Sequence, residues 1–442
     1  MPAVPPPPLA ALAAERPAAH ATAPDPLVAG QPHLRQIGWR PPPATGFRPL
    51  VAVLDTGVDP SSPDLAGVVL SGAGRSFVPA SPSATADPNG HGTHVAGIIA
   101  ASPGNGIGGS GVAAARILPI TVADADGRTT ASALVRGLAY ASARGARVIN
   151  ISFGGRGLSR AEQDAIDRAS LRGALIVVAA GNTGGQRTPE YPGAYRQVLA
   201  VGALGASGRP LSLSARGPQL ALAAPGEAVQ STAPGTSPAL VARTGTSMAA
   251  AVVSGAAARI IAARPRLTAQ QVRQILEETA RDLPPAGTDS ATGAGALDLA
   301  AALAAPAPPR GDPEPNDDPL LAAGTKPLLA ADGPRRRTVR GRTGSWSDPR
   351  DGYVVELAAG EGLSARLRGP AAADLDLVLW RPGARGGRRG PAYARLWLAA
   401  ASLGPSSSER LSHVVSSGGL YTLEVQGVRA AASYTLTVER TA

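Results

Sequence analysis

Cysteine is missing from all 442 residues, which excludes disulfides, thiolate nucleophiles and cysteine-based zinc sites in one step. The compartment stays open, because a chain without cysteine suits either redox environment. Lysine is nearly absent too: Lys326 stands alone, so the net charge of +10 comes almost wholly from arginine. That excess is spread, +6 ahead of Pro306 and +4 from it onward, and its densest run is only Arg335–Arg336–Arg337. No basic face suited to nucleic acid stands out, and an aromatic content of 3% offers no stacking platform for bases. Nowhere do 18 apolar residues run together without a charge, which argues against a membrane-spanning helix. What is present is 44% hydrophobic, with 54 Gly and 43 Pro, so a globular core has to be built from Ala, Val, Leu and Ile.

Residues 1–24 read as a Pro/Ala-rich extension. The short apolar run Leu9–Ala14 follows PPPP with no Lys or Arg ahead of it, so a standard secretory signal is not visible. From about residue 47 to 305, apolar runs alternate with helical stretches. The runs are Leu50–Leu54, Ile117–Val122, Val148–Ser152, Leu175–Ala180 and Val198–Val201; the helices are His94–Ala101, Ala131–Arg144 and Ala161–Leu171. Continuous apolar strands separated by helices predict a parallel sheet covered on both faces. Thr268 and Gln271 have the spacing of a capping box, ahead of apolar residues at helical period. Residues 306–318, PAPPRGDPEPNDD, read as a linker, and from 319 to 442 alternating runs separated by Gly and Pro turns predict a small β-sandwich.

Three Gly-flanked segments carry polar residues where packing alone would not want them. Asp55 ends an apolar strand in VAVLDTGVDP, His91 heads a helix in NGHGTHVAG, and Ser247 begins an Ala-rich helix in TGTSMAAAVVSG. A serine hydroxyl is a poor nucleophile until an imidazole takes its proton, and the imidazole needs a carboxylate to fix its tautomer and stabilise its charge. A fourth segment, VVAAGNTG, ends a strand with Asn182, whose amide is suited to hold the oxyanion together with the Ser247 N–H at its helix start. His94, in the same motif as His91, reads as a packed helix residue rather than a second base.

These motifs, LDTGV, GHGTHVAG, AAGN and GTSMA in that order, resemble those of the subtilisin-like serine proteases. The resemblance implies a subtilase α/β fold with a seven-stranded parallel sheet over roughly residues 25–305, and an endopeptidase acting on protein or peptide substrates through Asp55, His91, Ser247 and Asn182. The alternative is a catalytically silent scaffold that binds peptides. By the same resemblance Ser152, Phe153 and Gly154 pair with the substrate backbone, Gly127 begins the segment facing them, and Asn89 lines a neighbouring subsite. Glu190, just before Tyr191–Pro192, aligns with the floor of the primary specificity pocket, where it favours Arg or Lys; outward pairing with Arg187 or Arg196 is the other option. Asp25, Asp64 and Asn105 are implied as a structural calcium site. A monomer and secretion are expected, and the family's inhibitory prodomain has no counterpart in the 24 residues before Asp25. After Ser247–Met248–Ala249 the family usually continues with a small residue, then Pro and often His, where this chain has Ala250–Ala251–Val252. The C-terminal part, with EPND at 314–317, Asp351–Gly352–Tyr353 and Asp374–Leu375–Asp376–Leu377, resembles the bacterial pre-peptidase C-terminal domain, which implies a separable unit without catalytic residues.

Overall fold

The computed structural model describes residues 24–43, 45–155, 157–308, 327–343, 350–371, 373–384, 396–428 and 432–441. The expected extension over residues 1–23 and linker residues 309–318, EPND included, lie outside the described residues. The chain divides into two compact units, Met1–Pro309 and Arg310–Ala442.

In the first unit the strands are β1 (Leu50–Asp55), β2 (Arg75–Ser76), β3 (Arg116–Thr121), β4 (Val148–Ile151), β5 (Leu175–Ala179), β6 (Val198–Leu204) and β7 (Leu220–Pro225). They form one sheet in the order β2-β3-β1-β4-β5-β6-β7, every pair parallel. A hairpin of β8 (Val229–Thr232) and β9 (Leu240–Arg243) stands apart from it. The helices are α1 (Pro32–Gln36), α2 (His91–Ala100), α3 (Ala131–Ala143), α4 (Arg160–Leu171), α5 (Thr246–Ala263), α6 (Ala269–Glu278) and α7 (Leu299–Ala304). Strand side chains alternate between two cores, as the pleat requires. Val51 and Val53 pack with α2, α5, α6 and α7; Ala52 and Leu54 pack with α3 and α4 on the other face. Burial on both sides explains why these strands read as unbroken apolar runs.

The chain runs from β1 outward to β2 and β3, then returns to lay β4 on the other side of β1. That reversal opens a crevice at the carboxyl ends of β1 and β4, where open α/β sheets carry their sites. The central helix α5 is buried nearly throughout. Small residues let it lie close to its neighbours: a Cβ on Gly255 would stand 2.6 Å from Val112 Cβ. Among the described residues it is also the one helix long and apolar enough to cross a membrane, although Arg259 interrupts it, and 83% of it is buried inside the protein. The Ala250–Ala251–Val252 stretch continues the helix without a break. α6 starts with the capping box expected of Thr268 and Gln271.

The strands of the second unit pair antiparallel. Its strands are β10 (Arg336–Thr343), β11 (Arg350–Leu357), β12 (Gly362–Arg368), β13 (Leu375–Trp380), β14 (Leu398–Ser402), β15 (Arg410–Val414), β16 (Gly419–Gly427) and β17 (Ala432–Thr441). They form two four-stranded sheets, β10-β17-β12-β15 and β11-β16-β13-β14. Alternation of apolar and polar residues is weak in the edge strand β10 but clear in the centre. There Leu363, Leu367, Leu436 and Val438 of one sheet share a core with Val355, Leu377, Leu423 and Val425 of the other.

Candidate active site

Asp55 is the last residue of β1 and is fully buried. Its Oδ1 accepts from the Thr56 N–H at 2.8 Å and lies 2.8 Å from His91 Nδ1. His91 opens α2, behind Gly90 in the left-handed region (φ +75°). The two elements approach so closely that a Cβ on Gly92 would overlap the Gly57 carbonyl oxygen. Glycine is therefore required at 92 by contact, not by backbone angle. Burial pulls the His91 pKa down, but the charge and hydrogen bond of Asp55, with Asp87 adding, outweigh that and the nearby Arg243, so the net shift is upward.

Ser247 is the second residue of α5. Its hydroxyl donates to the Ser152 carbonyl at 2.8 Å rather than to His91. Ser152 directly follows β4, and its own hydroxyl accepts from Asn150 Nδ2 at 2.8 Å. Asn150 Oδ1 in turn accepts from Ser254 Oγ at 2.8 Å, tying β4 to α5 two turns beyond Ser247. Asn182 lies just past β5. Its Oδ1 accepts from both the N–H and the hydroxyl of Thr246, at 2.9 and 3.0 Å. Thr246 also accepts from the Gly181 N–H at 3.1 Å. With its oxygen held this way, Asn182 stands exposed just beyond the end of β5.

The structure thus brings Asp55, His91, Ser247 and Asn182 to one edge of the sheet, together with Ser152–Gly154. Gly155 and Tyr191 exchange two backbone hydrogen bonds of 2.8 Å, which sets Glu190 beside that segment. A Cβ on Gly154 would meet Glu190 Oε2 at 2.9 Å, and one on Gly181 would meet its Cδ at 2.7 Å. Among the described residues neither Arg187 nor Arg196 forms an ion pair with it. Phe153 packs half-buried against the α3–α4 side of the core. Asn89 donates to the Ala125 carbonyl at 2.8 Å, while Gly127 occupies the left-handed position of a turn (φ +78°) closed by its N–H on the Asp124 carbonyl, ahead of the Arg128–Thr129 segment. His94 is buried and its Nε2 lies 3.0 Å from the Val241 carbonyl oxygen.

The three residues expected to hold calcium also gather in one place, but in different states. Asp64 Oδ1 accepts from Asn105 Nδ2 at 3.2 Å, and Oδ2 from the Gly109 N–H at 2.9 Å. Asp25 uses both oxygens on the backbone N–H groups of Gly104, Asn105 and Gly106, so it holds that loop. Burial, with the Asp25 charge adding, raises Asp64 to about 6 despite its hydrogen bonds. No group of three or more His, Cys, Asp or Glu side chains suited to a metal occurs among the described residues.

Residues 46–295 match the subtilase family of peptidases. The chain belongs to that family. Subtilisin BL of Lederbergia lenta is 42% identical over 259 residues, covering 58% of this chain and 91% of the relative. Subtilisin DY of Bacillus licheniformis is 41% identical over 237 residues, 53% of this chain and 84% of the relative. Fervidolysin of Fervidobacterium pennivorans is 38% identical over 299 residues, 61% of this chain and 43% of that longer protein. As a subtilase, the chain is a serine-type endopeptidase acting on protein substrates. Three contributors to the site escaped the sequence reading: Thr246, Asn150 and Asp87. A polar residue inside the apolar run VINIS was the available signal for Asn150.

Proposed function

We propose that this subtilase cleaves peptide bonds by acyl transfer from Ser247, with His91 as base and then acid, Asp55 as its orienting carboxylate and Asn182 as oxyanion donor. The observation that carries the reading is the pair of fixed orientations at the site: the 2.8 Å His91 Nδ1–Asp55 contact and the Asn182 oxygen locked by Thr246. The first commits Nδ1 to carrying a proton, leaving Nε2 as the acceptor. A turn of the Ser247 side chain away from the Ser152 carbonyl brings its proton to Nε2 as the oxygen attacks the scissile carbonyl. The new oxyanion meets Asn182 Nδ2 and the Ser247 N–H, both already oriented, so stabilisation needs no reorganisation. His91 then gives its proton to the leaving amine, and water repeats the sequence on the acyl-enzyme. The substrate lies as an added strand between Ser152–Gly154 and the Gly127–Thr129 segment.

Glu190 belongs to the same proposal. Its carboxylate sits against Gly154 and Gly181, beside the strand that carries the substrate and the asparagine that holds the oxyanion. A Lys or Arg before the scissile bond pairs with it; Phe or Leu leaves it desolvated and unpaired, a cost of about 1–3 kcal/mol. The test uses active-site-titrated enzyme and matched peptides that differ only in that residue. Ser247→Ala should abolish turnover and phosphonate labelling. Asn182→Ala should lower kcat by about 10²–10³-fold, the loss already known for the oxyanion asparagine of subtilisins. Glu190→Gln should remove a preference for Arg over Phe. Full turnover by folded Ser247→Ala, or a wild-type preference for Phe or Leu, contradicts the respective part.

Calcium fits beside Asp64 and Asn105. A buried carboxylate raised to about 6, bonded by uncharged donors with a second carboxylate nearby, would be favoured by a cation. Oxygen ligands on separate loops suit that ion. It would supply charge and cross-link the Asp64 and Asn105 loops, with Asp25 keeping the latter in shape. If bound at a hundred times its dissociation constant, it adds about 2.7 kcal/mol, so EDTA should lower the thermal midpoint by about 4–5 °C. An unchanged midpoint rules the site out. Secretion is proposed on the family resemblance alone, and the second unit, which resembles the pre-peptidase C-terminal domain, is proposed to have no part in catalysis.

A further inference from the structure

Asp87 lies four residues before His91 and is 5% exposed. It is a second carboxylate beneath the site, and among the described residues each hydrogen-bond partner of its side chain is an uncharged donor. Oδ1 accepts from Thr56 Oγ1 at 2.7 Å and the Gly90 N–H at 2.9 Å. Oδ2 accepts from the Thr93 N–H at 2.8 Å and its hydroxyl at 2.6 Å. These partners are the residue after Asp55 and the first turn of the helix that His91 begins. One side chain therefore joins the two elements that hold the acid–base pair.

The Thr56 hydroxyl sits between two carboxylates, 2.7 Å from Asp87 Oδ1 and 3.3 Å from Asp55 Oδ1. It has one proton, and the shorter contact takes it. Its lone pairs accept from the Gly92 N–H at 3.2 Å. Asp55 Oδ1 is then left to the Thr56 N–H and His91, while Asp55 Oδ2 is buried without a hydrogen-bond partner among the described residues. So poorly satisfied a carboxylate accepts any further donor that is offered.

We propose that Asp87 is a positioning residue for the reaction: by drawing the Thr56 hydroxyl proton to itself it keeps Asp55 Oδ1 for His91. The inference rests on His91 being the base. The charged and titratable groups around the imidazole are Asp55, Asp87 and Arg243, with His94 one turn along α2. Removing Asp87 acts twice in one direction. It deletes a negative charge that favours imidazolium, and it releases the Thr56 hydroxyl to bond Asp55, which weakens the carboxylate's hold on His91.

The experiment is kcat and KM against pH for wild type and Asp87→Ala, each with Thr56 and with Thr56→Val, on enzyme counted by phosphonate titration of Ser247. Asp87→Ala should lower kcat by about tenfold with KM within about twofold, and shift the acid limb of kcat/KM down by about half a unit or more. In the Thr56→Val background the same change should cost at least about threefold less, because no hydroxyl remains to turn. Equal losses in both backgrounds, or an unmoved acid limb, overturn the proposal. If Asp87→Ala does not fold, Asp87→Asn, which keeps the shape and loses the charge, must still lower the acid limb. Failure of Ser247 to take the phosphonate in wild type instead sinks the triad reading itself.

Discussion

At the scale of single residues, orientation matters more here than identity. An asparagine amide has two ends, and only the nitrogen end is useful to an oxyanion. In the proposed reaction Thr246 reserves the nitrogen end for the oxyanion, by giving both its N–H and its hydroxyl to the oxygen. The N–H is one of the unpaired donors at the start of α5, so one contact caps the helix and aims the amide. Thr246→Val keeps the shape and the N–H but removes the hydroxyl, leaving the Gly181 N–H without its acceptor. One hydrogen bond of this kind contributes about 1 kcal/mol, so kcat should fall about fivefold, far less than for Asn182→Ala, with KM unchanged. Stopped-flow acylation rates on a chromogenic peptide measure this directly; a wild-type acylation rate would show that Asn182 needs no second donor.

Elements add a different constraint, the burial of imidazoles with no acid beside them. His33 on α1 is buried, and both of its ring nitrogens lack a hydrogen-bond partner among the described residues. Burial, with the charge of His94 adding, lowers it to about 3; His94 on α2 is lowered to about 4, again chiefly by burial. Both folded values lie below the unfolded value of 6.5, so between that value and about 3 the unfolded chain binds more protons. The stability these groups contribute is present above pH 6.5 and is lost as pH falls through that window. His33→Phe, of similar volume and without a proton to gain, should match wild type at about pH 8 and be the more stable at about pH 5 in urea titrations. Equal midpoints under the acid condition would mean that α1 detaches without the rest of the fold.

For the whole molecule, the main fact is that two units exist, each with a core closed by its own elements. A parallel α/β unit of this size buries enough apolar surface to fold alone, and Asp55, His91, Asn182 and Ser247 all belong to it. A chain ending at residue 309 should therefore hydrolyse peptides with kcat/KM within about twofold of the full chain and melt in one transition. Loss of turnover in a folded truncated chain would give the second unit a role in the site.

Much of this was written along the chain. Residues packed on both faces of a sheet have to be apolar throughout, so β1, β3, β4, β5 and most of β6 could be read as runs, and α6 by its cap. Asp55, His91, Asn182 and Ser247 stood out because glycine-flanked polar residues at strand and helix ends have no reason to be there for packing. Elements that went unread include β2 with two residues, the β8–β9 hairpin, the polar edge strand β10, β7, whose LALAAP is too small to look like a strand, and also β12, β14, β15 and the short α1. The supporting shell went unread for a different reason. Thr246, Asp87 and Asn150 gain their roles from partners 64, 31 and 104 residues away in the chain. Hydroxyl protons and amide ends have no period and leave no spacing. Asp25 shows the same limit from the other side: sequence brings it to the Asn105 loop, but only the tertiary fold directs both its oxygens at backbone N–H groups. The sequence determined which groups stand at the edge of the sheet; the fold alone decided which way each one faces, because direction is set by whichever distant donor or acceptor the packing brings within about 3 Å.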